Sequence, residues 1–248
     1  VLDGFPVKMR GKTLATPAVG EVDAQYAGEE IITTWNSGDS GGVTIFHADG
    51  SEFWTKVFRC EGYSKCGAVG SPVAVDVDGD NIIEIVGLLN FEEPGVYPPE
   101  RYSLLVLLDD NGDTLWTKFF YSGWVGVFGG SPSVADVTDD GEFEIILADC
   151  NEFLHVYDRY GNVVLKERFA ERVYATPSVA DIDGDGNYEI VFPESDRSKK
   201  VFCVQMNGTY ASGTPIYLDN SGSQNSPCLA DIDNDGDMEL VIYNHSCK

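Results

Sequence analysis

The chain has 248 residues, with 16 Lys and Arg against 41 Asp and Glu, a net charge of −25. That balance leaves no basic stripe to neutralise phosphates, which excludes nucleic acid and anionic lipid surfaces as partners. At 43% hydrophobic and 12% aromatic residues the chain is too apolar for a disordered acidic tail, and no run of about 18 apolar residues occurs that would span a membrane as a helix.

A repeat organises everything else. A Ser/Thr-Pro pair followed by small and β-branched residues recurs at Thr16-Pro17, Ser71-Pro72, Ser131-Pro132, Thr176-Pro177 and Ser226-Pro227, at intervals of 55, 60, 45 and 50 residues. Helical periodicity is nearly absent between them. Short alternating or apolar runs punctuated by Gly, Asn and Asp predict an all-β protein. Each repeat reads as two halves. The first is a short strand, an acidic loop and an apolar strand beginning with a glutamate: Glu84-Ile85-Val86, Glu144-Ile145-Ile146, Glu189-Ile190-Val191 and Glu239-Leu240-Val241. The second is a hairpin turning at Asp49-Gly50, Asn111-Gly112, Tyr160-Gly161 or Asn207-Gly208. Asn-Gly and Asp-Gly are strong hairpin signals, read here as turns with both central residues at positive φ.

The fifth repeat lacks its hairpin, and the segment from Val1 to Met9, turning at Asp3-Gly4, has that form. The expected fold is a single five-bladed β-propeller domain over residues 1–248. Its repeats are about 16–70, 71–130, 131–175, 176–225 and a closing blade made of 226–248 plus 1–15. Nothing reads as a signal peptide, and a start at Val1 fits a processed N-terminus.

The acidic loops carry the chemistry. The second repeat offers Asp76, Asp78, Asp80, Ile82 and Glu84, and the third Asp136, Thr138, Asp140, Glu142 and Glu144. The fourth offers Asp181, Asp183, Asp185, Asn187 and Glu189, and the fifth Asp231, Asp233, Asp235, Asp237 and Glu239. Alternating carboxylates at loop positions 1, 3 and 5, a backbone carbonyl at 7 and a carboxylate at 9 make an all-oxygen shell that suits Ca²⁺. Mg²⁺, with its stricter octahedron, is second choice, and zinc is disfavoured because His and Cys are missing from these loops. Three to four calcium ions are expected. Thr138 replaces a carboxylate, so the third loop should bind more weakly. The first repeat, Glu21-Val-Asp23-Ala-Gln25, has its Glu30 one residue late.

These residues resemble the FG-GAP/VCBS repeats of integrin α-chain-like propellers. Phe128-Gly129-Gly130-Ser131-Pro132 is similar to the name-giving segment. The resemblance covers essentially the whole chain and implies a propeller and calcium. Such propellers occur in adhesion receptors, lectins, polysaccharide lyases and surface proteins, so fold alone does not assign a role. Integrin-like propellers usually have seven blades, and five is a departure.

Six cysteines and the sequons at Asn207 and Asn244 point to an oxidising, extracellular or cell-surface setting with N-glycosylation. Cys60 and Cys66 are close enough for a local disulfide, while Cys150, Cys203, Cys228 and Cys247 allow three pairings. Gly38-Asp39-Ser40-Gly41-Gly42 looks like a serine-protease nucleophile segment, but His47, His155 and His245 lack a triad context. No catalytic residue is assigned. Aromatic contact surfaces are read in the insertion from Phe91 to Tyr102 and in the segment holding Trp124 and Phe128, whereas Trp35, Trp54 and Trp116 belong to strands. The expected role is non-catalytic: adhesion or binding of a protein or glycan ligand at the cell surface. The alternatives are self-association into an extracellular fibre or surface assembly, and a lectin or polysaccharide lyase.

Overall fold

The computed structural model describes residues 4–59, 61–68, 70–97, 100–123, 130–169, 172–195, 199–219 and 222–243. The chain divides into two compact units, Val1–Val127 and Phe128–Lys248, so the boundary falls at the end of the second repeat.

In the first unit, β1 (Ala18–Gly20), β2 (Glu30–Asn36), β3 (Ser40–Phe46) and β4 (Glu52–Arg59) form an antiparallel sheet in sequence order. The second sheet contains β5 (Lys65–Ala68), β6 (Val73–Val75), β7 (Glu84–Glu92), β8 (Arg101–Leu108) and β9 (Thr114–Gly123). There β6 and β5 pair with successive stretches of the long β7. In the second unit, β10 (Ser133–Ala135), β11 (Glu144–Ala148), β12 (Phe153–Tyr157) and β13 (Val163–Arg168) repeat the four-strand order. So do β14 (Ser178–Ala180), β15 (Glu189–Pro193), β16 (Lys200–Val204) and β17 (Ile216–Tyr217). The last sheet has β18 (Cys228–Ala230) and β19 (Glu239–Val241).

Among the described residues β18 pairs only β19, and residues 4–12 carry no strand. The N-terminal segment instead runs beside the first sheet. Lys12 bridges Asn36, Arg10 pairs with Glu52 at 2.7 Å, and Gly4 lies so close to the Asp49 carbonyl that a Cβ would collide with it. Residues 4–12 of the expected closing hairpin are thus held by the first repeat. Asp3 and residues 244–248 lie outside the described residues.

The cores sit between successive sheets. Ile32, Val43 and Ile45 pack with Ile85, Leu89 and Val106 in the first unit, and Ile146, Val156 and Leu165 with Ile190, Phe192 and Phe202 in the second. A smaller cluster joins Val191, Val201 and Cys203 to Leu229 and Leu240. The β-branched residues that fill these strands favour the pleated, buried surface.

The four hairpin turns share one geometry. Gly50, Gly112, Gly161 and Gly208 have φ between 78° and 83°, but the residue before each glycine does not have positive φ. Each glycine N–H donates to the carbonyl three residues back, as Gly50 does to His47 at 2.9 Å. This is a type I turn closed by a glycine bulge, not a turn with two left-handed residues. It explains why bulky Tyr160 is tolerated where the others have Asp or Asn.

The Ser/Thr of the repeating Ser/Thr-Pro pair ties neighbouring repeats together. The Thr16 N–H donates to the Ser71 hydroxyl at 3.0 Å, Ser131 to Thr176 at 2.8 Å, and Thr176 to Ser226 at 3.0 Å. Each bond satisfies a strand-entry N–H that no sheet ladder reaches. Thr176→Val keeps the shape and removes the acceptor. It should lower unfolding free energy by about 1 kcal/mol in urea titration, while Thr176→Ser should lie near wild type; equal losses for both would show that the hydroxyl is not what matters.

Candidate metal centres

Each acidic loop is folded by its own side chains before any ion is considered. Asp76 accepts from the N–H groups of Gly79, Asp80 and Asn81 at 2.7–3.1 Å. Asp136, Asp181 and Asp231 accept in the same way from the residues four and five positions on. Position 5 then holds the next residue but one, as Asp80 does with Ile82 at 2.8 Å and Asp185 with Asn187 at 2.8 Å. The glutamate that begins the second strand of each repeat points back into the loop. Glu84 accepts from Val77 N–H at 3.0 Å, Glu144 from Val137 at 3.0 Å, Glu189 from Ile182 at 3.0 Å and Glu239 from Ile232 at 2.7 Å.

Three loops bring carboxylates to a common point. Ligand atoms of Asp76, Asp78 and Glu84 lie within 4.8 Å of one another, and so do those of Asp181, Asp183 and Glu189, and of Asp231, Asp233 and Glu239. All donors are oxygens on short, glycine-containing loops, the chemistry a hard divalent cation prefers. The converging set is narrower than the sequence pattern. Asp80, Asp185, Asp235 and Asp237 are not among the grouped carboxylates, and the first three spend an oxygen on the loop's own backbone.

The remaining two repeats have taken other partners. In the third, the Thr138 hydroxyl donates to Glu144 at 3.4 Å and Glu142 forms an ion pair with Arg159 at 3.0 Å; no carboxylate triad is grouped there among the described residues. Asp140 caps Glu142 N–H at 2.9 Å. In the first, Glu30 faces Gly20 in the register that pairs Val75 with Glu84 and Ala135 with Glu144. Glu30 is thus the counterpart of the other glutamates, and the extra residue is absorbed by the loop. Glu30 accepts from Val22 and Asp23 N–H and meets His47 Nδ1 at 3.2 Å, while His47 Nε2 lies 3.9 Å from Asp23. Tyr26 stacks on the same ring at 3.9 Å. An imidazole fills the place towards which the other loops converge carboxylates. The sequence signal was available: His47 stands at the first position of a hairpin turn whose counterparts are Asp109, Asp158 and Gln205.

Burial, with the Val77 bond opposing and Asp78, Asp80 and Asp76 adding to it, pushes the Glu84 carboxyl up to about 7. Glu144 and Glu189 are raised for the same first reason, desolvation. Desolvation also acts on Asp76, but the N–H donors of Asn81, Gly79, Asp78 and Asp80 outweigh it and hold that carboxyl below its usual range. In the second repeat Glu84 thus resists ionisation while Asp76 favours it.

Cys66 is disulfide-bonded, and its expected partner Cys60 lies outside the described residues. Cys150, Cys203 and Cys228 are thiols, which corrects the expectation of pairings among the remaining cysteines. The Cys150 thiol donates to the Val173 carbonyl at 3.4 Å, and burial pushes the Cys203 thiol up to about 12. Asn207 is exposed at its hairpin tip and accepts from Thr209 N–H at 2.8 Å. Asn244, Trp124 and Phe128 lie outside the described residues. The Ser40 hydroxyl bonds with Ser37 at 2.6 Å and Asp39 at 3.0 Å, so the protease-like segment is a β2–β3 hairpin with no histidine beside its serine among the described residues.

An FG-GAP-like repeat model matches residues 181–242, the segment that holds two of the three carboxylate clusters. No curated protein matches. Among solved structures, BamB from Moraxella catarrhalis is similar at 17% identity and a TM-score of 0.51, over 91% of this chain and 57% of that one. A europium-containing methanol dehydrogenase is similar at 14% identity and a TM-score of 0.53, over 78% of this chain and 41% of that one. The C-terminal domain of PilY1 from Pseudomonas aeruginosa is similar at 16% identity and a TM-score of 0.50, over 82% of this chain and 49% of that one. These likenesses show a β-propeller type of fold. The chain spans less than two thirds of each of these structures.

A glutamate whose folded-state carboxyl is raised contributes stability below its ordinary range, near 4.5, and loses it as pH rises through about 7. In chelator, the melting temperature should therefore rise as pH falls from 8 to 5.5, and Glu84→Gln should flatten that rise. A melting temperature that falls or stays level on acidification would contradict the assignment.

Proposed function

We propose that the chain is a calcium-stabilised binding module of the propeller type that works outside the cell. The observation that carries this reading is the threefold convergence of two aspartates and a glutamate on loops already shaped by their own backbone caps. Asp76, Asp78 and Glu84, with the equivalent Asp181, Asp183 and Glu189 and Asp231, Asp233 and Glu239, hold the ions; carbonyls and water complete each shell. Bound calcium neutralises carboxylates that repel one another and fastens each loop to its second strand. The role is non-catalytic, with a protein or glycan at the cell surface as ligand. The exposed Asn207 sequon and the Cys66 disulfide favour that setting.

A second reading is assembly through the last sheet. Among the described residues β19 pairs only β18, and Val241 at its end and Tyr243 just past it are 50% and 56% exposed. An unpaired edge with apolar side chains invites another strand. Light scattering decides between the two: a calcium-dependent increase in mass favours assembly, and a constant 27.1 kDa favours a monomeric module.

Calcium titration of chelated protein should raise the melting temperature and saturate at about three ions, one for each carboxylate cluster. An independent site contributes about 2.7 kcal/mol at a hundredfold excess over its Kd. Asp183→Ala should remove one ion from the stoichiometry, while Thr138→Val should leave it unchanged. A melt indifferent to calcium and chelator would refute the metal reading.

A further inference from the structure

The second sheet outgrows the others. β7, β8 and β9 have 9, 8 and 10 residues, whereas β11, β12 and β13 have 5, 5 and 6. The extra length carries the insertion between Phe91 and Tyr102. Phe91 faces Tyr102 and Tyr102 faces Tyr121 across the strands, so one sheet face bears a row of rings. Tyr102 stacks on Phe119 at 5.4 Å with the planes 5° apart, and Tyr63 reaches both Phe91, at 5.3 Å, and Tyr102, at 5.9 Å. Where this row ends, a cleft of about 330 Å³ opens to solvent between Glu61, Gly62, Tyr63, Glu93, Pro94 and Tyr102.

Charge is sorted around this cleft. The neighbouring cations Lys65 and Arg101 both pair with Glu92, each at 3.2 Å. Glu92, the last residue of β7, precedes Glu93 and does not line the cleft. Glu61 and Glu93 have no ion pair among the described residues. Glu93 is oriented by the Tyr102 hydroxyl, which donates to it at 3.4 Å. Two unpaired carboxylates beside tyrosine rings attract a cation twice, through its charge and through the ring quadrupole.

We infer that this cleft binds the cationic head of a lysine or arginine side chain presented by a partner polypeptide. A cleft of this volume, near the lower limit for ligand sites, accommodates one head group and its methylene stem. Within its unit the cleft lies past the Glu92 end of β7, and the Asp76, Asp78 and Glu84 cluster lies at the Glu84 end, so the inference does not depend on that cluster holding calcium.

The test uses the whole chain in calcium buffer and follows Tyr102 ring signals by NMR. The probes are N-acetyl-lysine methylamide, N-acetyl-arginine methylamide, choline and methyl α-glucoside. At least one of the two amino-acid amides should bind saturably and weaken as ionic strength rises. Glu93→Gln should weaken it about tenfold, the scale of one charge-assisted contact, without moving the melting temperature. Tyr63→Leu gives an independent check and should also weaken binding. Failure of both amides, binding by choline alone, or binding of the glucoside that survives Glu93→Gln would each overturn the inference. Loss of calcium binding in the same samples would refute only the metal reading.

Discussion

The fold depends on a glutamate at the head of the second strand of every repeat. Glu30, Glu84, Glu144, Glu189 and Glu239 each accept an N–H from the loop that precedes them, at 2.7–3.0 Å. Four of them are buried. A buried carboxylate is costly unless its charge is met. The repeats meet that demand differently: carboxylate clusters that suit a cation in the second, fourth and fifth, a threonine hydroxyl in the third, and an imidazole in the first. The shared backbone bond keeps the register constant, and the variable partner sets what each loop can bind. The same scaffold thus accommodates repeats with and without a carboxylate cluster in one chain.

Much of this was legible in the sequence because it is periodic. The Ser/Thr-Pro pairs, the glutamate-led apolar runs and the glycine turns fall where strands and hairpins form. The four acidic stretches lie on loops between the first two strands of their sheets, and three of them converge. What escaped was set by contacts between distant residues. Glu30 looked displaced because loop length was counted instead of strand register. His47 looked only like a histidine without a triad context, because the carboxylates it faces lie 17 and 24 positions earlier. The hold of the first repeat on the N-terminal segment was also hidden, because Lys12 and Arg10 meet Asn36 and Glu52 far along the chain.

The turns teach a similar lesson at shorter range. Asp-Gly and Asn-Gly located the hairpins correctly, yet only the glycine takes positive φ. The preceding residue serves through its preference for the turn and not through left-handed backbone, which is why Tyr160-Gly161 does the same job. Cysteine arithmetic pointed to the disulfide at Cys66 but could not decide the rest. An even count says nothing about whether two thiols meet, and Cys203 is locked in a core of Val191, Val201 and Ala211.

That buried thiol sits in the same unit as an exposed one. Cys203 lies in β16 with its ionisation suppressed, and Cys228 stands on β18 in contact with solvent. A thiol reacts as its thiolate and only where reagent can reach it. Among its described residues one unit therefore carries thiols of opposite accessibility, Cys228 outside reporting total reagent and Cys150 and Cys203 inside reporting only molecules whose sheets have opened. Site-resolved labelling of Cys203 against Cys228 measures local breathing around the fourth repeat without any introduced cysteine, a gauge of internal motion written into the native sequence.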